Sequence, residues 1–116
     1  MEEKMDIKKM LPFLDDESLG LYVEKIKEGK VSTEDAKYAL PFFNSSHINE
    51  IYQLIIEHKI DMTIKQLLPF MDDEMIEELY RKILNNEITD IDEETILPFL
   101  GDNTIKALFK EYLNKL

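Results

Sequence analysis

A chain of 116 residues, 44% of them hydrophobic and 34% charged, is long enough to bury a sizeable core and too apolar for a disordered segment. It has no cysteine, which excludes disulfides, thiolate nucleophiles and Cys-ligated zinc. The formal net charge is −11 with a single arginine, Arg81, which argues against direct binding of nucleic acid because phosphates must be neutralised by Lys and Arg.

No apolar run approaches the roughly 18 residues that a membrane span needs. The start, Met1-Glu2-Glu3-Lys4-Met5-Asp6, is acidic and lacks the basic-then-apolar order of a secretory signal. The expectation is therefore a cytoplasmic protein with no membrane partner.

In chain order, the first predicted element is a short helix behind Asp6, carrying Ile7, Met10 and Leu11. It reaches Leu11-Pro12-Phe13-Leu14. Proline removes a backbone donor and disfavours the α conformation just before it, so the helix kinks or ends there. Asp15-Asp16-Glu17 follow and can accept the orphan N–H groups of a new helix at the positive end of its dipole. Leu19, Tyr22, Val23 and Ile26 then recur at helical spacing as one stripe of a longer helix, about 12–14 residues long. Gly29, which tolerates left-handed backbone, stops it.

The same order recurs three times. Ser32-Thr33 starts a short helix with Ala36, Ala39 and Leu40, and after Pro41 and Asn44-Ser45-Ser46 come Ile48, Ile51, Tyr52, Ile55 and Ile56, stopped at His58. Asp61-Met62-Thr63 precede Ile64, Leu67 and Leu68, and after Pro69 and Asp72-Asp73-Glu74 come Ile76, Leu79, Tyr80, Ile83 and Leu84, stopped at Asn86. Asp90-Ile91-Asp92 precede Ile96 and Leu97, and after Pro98 and Gly101-Asp102-Asn103 come Ile105, Leu108, Phe109, Tyr112 and Leu113. A Val or Ile stands two residues beyond each stop (Val31, Ile60, Ile88), placed to fold back over the last turn.

The four prolines, the only ones in the chain, are 29, 28 and 29 residues apart, each inside Leu-Pro-Phe followed by Leu14, Phe43, Met71 or Leu100. A period of this kind marks a repeat architecture. The prediction is an all-α fold, a compact array of four helical hairpins within one domain, residues 1–116, with repeats at about 1–30, 31–59, 60–88 and 89–116. The Leu and Phe of every motif are expected to fill the wedge between the two helices, so truncating Phe70 to Ala should cost about 3–5 kcal/mol.

Tandem helical hairpins of this kind resemble the α-solenoid class of HEAT, armadillo and tetratricopeptide repeats, and Leu11-Pro12-Phe13-Leu14-Asp15-Asp16-Glu17 looks like the short helical repeats of uncharacterised bacterial proteins. The period is shorter than any of those consensus repeats. The Trp and Gly-Tyr of the tetratricopeptide signature and the Thr-Pro-Leu-His of ankyrin are absent. The resemblance implies a surface for binding other proteins and carries over no catalytic residue.

Little in the chain suggests chemistry. Neither acidic cluster has the Asp-x-Asn-x-Asp-Gly spacing of a calcium loop, so both read as helix starts. His47 follows Ser45-Ser46, but neighbours in a first turn point apart and no glycine-rich elbow is present. His58 reads as a helix stop. No metal, cofactor or enzymatic activity is expected.

Four apolar residues fall in columns that are polar in most other copies. Tyr38 aligns with Lys9, Gln66 and Thr95, and Leu54 with Lys25, Lys82 and Glu111. Leu21 aligns with Glu50, Glu78 and Ala107, and Met75 with Ser18, His47 and Thr104. Strict repetition turns all four to solvent as a candidate protein-contact surface, the alternative being burial through array curvature or end-to-end contact. At the array's ends, Lys27 replaces the apolar Ile56, Leu84 and Leu113, as suits an outer repeat, whereas the last helix stays apolar through Tyr112, Leu113 and Leu116.

The charge is uneven: −4 over residues 1–60, −8 over 61–95 and +1 over 96–116. The function expected from all this is a non-enzymatic protein-interaction or scaffold module. The alternatives are an acidic decoy of a basic, nucleic-acid-binding protein and a self-associating structural protein that forms homo-oligomers.

Overall fold

The computed structural model describes residues 7–116, so the cap expected of Asp6 lies outside the described residues. Among them every regular element is helical, and there is no strand. Four short helices, α1 (Ile7–Met10), α3 (Thr33–Ala39), α5 (Ile64–Leu67) and α7 (Glu93–Ile96), alternate with four long ones. The long helices are α2 (Asp16–Lys27), α4 (Ser45–Ile56), α6 (Asp73–Leu84) and α8 (Asp102–Asn114).

The starts follow from side-chain oxygens. Asp15 accepts from Ser18 N–H at 2.8 Å, Asn44 from His47 N–H at 2.9 Å and Asp72 from Met75 N–H at 3.0 Å, each satisfying an orphan donor. Ser32, Thr63 and Asp92 do the same for α3, α5 and α7. Among the described residues that start these helices, only Gly101, before α8, has no side chain to offer. The hydrogen bond from Ser18 holds the Asp15 carboxyl below its ordinary range.

The stops are three copies of one device. Gly29, His58 and Asn86 have φ of 77°, 59° and 62°. Their N–H groups donate to Ile26, Ile55 and Ile83, and the next N–H reaches back to Lys25, Leu54 and Lys82 at 2.8–3.0 Å. This pair of bonds is the Schellman motif, which requires left-handed backbone at its closing residue. Histidine carries a Cβ penalty there that glycine avoids. Accordingly His58→Gly should raise stability by about 0.5–1 kcal/mol, read as a higher urea midpoint, because relief of left-handed strain outweighs the flexibility gained by the unfolded chain.

Each Leu-Pro-Phe forms a single 3-10 turn directly after its short helix, at Leu11–Phe13, Leu40–Phe42, Leu68–Phe70 and Leu97–Phe99. This corrects the expectation that every Leu and Phe of the motif is buried. Leu11, Leu40 and Leu68 are in the core, but Phe13 is 87% exposed, Phe42 and Phe99 are exposed and Phe70 is half-buried. Leu97 is exposed as well. The reason is geometric. A 3-10 turn has three residues per turn, so residue i eclipses i+3, not i+2. The side chain beneath Leu is thus the one after Phe. Leu14, Phe43 and Leu100 donate their N–H to Leu11, Leu40 and Leu97 at 3.2–3.3 Å and are half-buried or buried.

The chain forms two compact units, Met1–Phe70 and Met71–Leu116, which divide inside the third repeat. In the first, α2 packs on α4 and α4 on α5. Leu11, Leu19 and Ala39 make a core against which Ile7, Leu14, Tyr22 and Phe43 pack. Lys27 reaches across to Glu50 at 2.6 Å while also holding Glu24 at 3.1 Å. In the second unit α6 packs against α7. Its core draws on Ile76, Leu79, Tyr80, Ile83, Ile96 and Leu100. Among the described residues no helix is long and apolar enough to cross a membrane.

Candidate protein interface

Of the four residues proposed from the repeat columns, two are exposed and two are not. Leu21, on α2, is 66% exposed, and Tyr38, on α3, is 44% exposed with the Lys8 ammonium 4.1 Å from its ring centre. Leu54 and Met75 are buried at 6% and 8%. The four therefore do not make one contact surface. Leu54 sits on α4, which is covered by α2 and α5 within its own unit and buries six residues where α2 buries three. Met75 occupies the third position of its helix, as do Ser18, His47 and Thr104. None of that column is exposed. Its polar members are there to make hydrogen bonds.

His47 and Thr104 show what that column does. The His47 ring accepts from Asn44 N–H through Nδ1 at 3.3 Å while Asn44 caps His47 N–H, and Phe43 meets the ring edge-on at 5.3 Å. A Cβ on Gly20 of α2 would stand 3.5 Å from His47 Nε2. In the second unit Thr104 donates to Glu77, the counterpart of Gly20 on α6, at 2.5 Å. The third residue of the later long helix thus meets the fifth residue of the earlier one in both units. His47 is consumed by capping and packing rather than aimed at a reacting group.

The surface that stands out is on α8. Leu19, Ile48 and Ile76 share a column with Ile105, as do Val23, Tyr52 and Tyr80 with Phe109, and Ile26, Ile55 and Ile83 with Tyr112. In the first three copies these residues are at most 9% exposed, whereas in the fourth they are 36–59% exposed. Alpha8 buries no residue at all. Beside it opens a cleft of about 830 Å³, floored by Leu84, Leu97, Leu108 and the Tyr80 ring and edged by Glu93, Glu111 and Lys115. Tyr112, Leu113 and Leu116 stand out of the sequence as a terminal apolar run, but Ile105 and Phe109 carry no mark that separates them from their buried counterparts.

Burial first, and then Glu93 and Glu111, push the Tyr80 phenol above its ordinary 10.0. A group held more strongly as its neutral form in the fold contributes stability that is complete below pH 10 and lost as pH rises through the raised folded value. Alkaline titration above pH 10 should therefore weaken the fold, and Tyr80→Phe should flatten that limb of a plot of melting temperature against pH.

Comparison with protein-family models, with curated proteins and with solved structures gave no match.

Proposed function

We propose that this chain is a non-enzymatic, cytoplasmic protein-interaction module, an α-solenoid-like array of four helical hairpins whose docking surface is the apolar face of α8 and the cleft beside it. The observation that carries this reading is the contrast between copies. Equivalent side chains at most 9% exposed in three repeats are 36–59% exposed in the fourth. Water around so many aliphatic and aromatic groups is unfavourable, and contiguous apolar surface of this kind marks contact sites. Capture from a cell extract by the immobilised chain, compared with Phe109→Glu, tests it. A protein retained by the parent and lost by the variant supports the module. Identical profiles for the two would overturn it.

A second reading, an acidic decoy for a basic protein, draws on the −8 charge of residues 61–95 and on Glu93 and Glu111 at the cleft edge. It separates from the first by ionic strength. Affinity carried by charge falls steeply with salt, whereas affinity carried by the apolar face changes little.

A further inference from the structure

We infer that the occupant of the α8 face is a second copy of this chain, paired α8 to α8 about a two-fold axis. This rests on the reading of α8 as a docking surface and adds the identity of what docks.

The first support is the surface that long helices of this chain already accept. In the first unit the stripe of α2 is covered by another long helix, α4, of closely similar pattern. The α8 stripe matches that of α4 position for position, and that of α2 at every position but Lys27, and buries no residue. A second α8 provides the same aliphatic and aromatic knobs at the same helical spacing.

The second support is area. Phe109 and Tyr112 are each 59% exposed, Leu113 46% and Leu116 84%. A whole buried aromatic contributes about 150–250 Å². Together with Ile105 and the cleft floor the exposed apolar surface amounts to roughly 600–900 Å², on the scale of the ~800 Å² per partner of a standard stable interface.

The third is charge. A two-fold interface must be complementary to itself. Glu93 and Glu111 edge the cleft, Lys106 and Lys110 lie on α8 and Lys115 follows its last residue. None of these five makes an ion pair among the described residues. Both signs lie on one unit, so pairing brings each copy's lysines toward the other's carboxylates. Residues 96–116 carry +1 in a chain of −11, and with Glu93 of the cleft edge the surface is neutral, so two copies meet there without the self-repulsion that the −8 of residues 61–95 would bring.

Sedimentation equilibrium of the full chain, from about 1 µM to about 1 mM, spans the affinities such an interface would have. The weight-average mass should rise from 13.7 kDa toward twice that value. Phe109→Glu should weaken the association at least tenfold with an unchanged helical circular-dichroism spectrum. Leu116→Glu, at a position that cannot disturb the core, should weaken it in the same direction. Leu21→Glu, on the first unit, should leave it unchanged. A parent chain that stays monomeric throughout overturns the inference. The docking reading then survives if Phe109→Glu still loses a captured protein, and fails with it if no such loss is seen. A dimer indifferent to both α8 substitutions, or abolished by Leu21→Glu, also overturns it by placing the interface elsewhere.

Discussion

Leu11→Ala should lower the stability of the first unit by about 2–5 kcal/mol, whereas Phe13→Ala, two residues along the same motif, should change it by less than about 0.5 kcal/mol. Leu11 is fully buried against Leu19 and Ala39, so truncation removes its transfer free energy and leaves a hole that Ile7, Leu14 and Tyr22 can close only in part. Phe13 is 87% exposed and leaves almost nothing behind. Urea denaturation of both variants decides the matter. The larger loss from Phe13 would mean that the motif turns its ring inward, against the threefold stagger of a 3-10 turn. By the same argument Phe70→Ala, at a half-buried ring, should fall below the 3–5 kcal/mol of a core aromatic.

The second large effect is a contrast between two isoleucines in one column. Ile76→Ala should cost about 2–5 kcal/mol, since Ile76 is fully buried on α6. Ile105→Ala, on α8, should cost about 1 kcal/mol, because the same side chain there already meets solvent on one side. Calorimetry at low micromolar concentration measures both. If α8 pairs with a second copy, the melting temperature of the parent should rise with protein concentration, and the deficit of Ile105→Ala should widen with it, because a partner that binds only the folded state adds its binding free energy to stability. Equal costs at low concentration would show that α8 is as deeply seated as α6.

Much of the local architecture was legible because it is written in short-range chemistry. Asp15, Asn44 and Asp72 accept from the third N–H of their helices, and Gly29, His58 and Asn86 adopt the left-handed turn that their positions imply. Such features depend on residues within a turn of one another, so sequence order specifies them. The orientation of Phe was misread because an apolar residue beside proline was expected to fill the corner, whereas the turn sets the residue after Phe, not Phe itself, beneath Leu. Met75 was misread because its column is polar for hydrogen bonding, which resembles exposure when only residue types are compared. Leu54 was misread because its burial depends on what packs against α4, which residue types in a column do not disclose.

By itself, then, the order of residues determined helices, their caps and stops, and a unit recurring four times at 28–29 residues. Only the tertiary structure decided which of four near-identical stripes goes uncovered. The stripe of α8 is as apolar as its predecessors, and periodicity measures which face of a helix is oily, not whether anything lies against it. Burial depends on a neighbour, and a neighbour is a property of the packed chain.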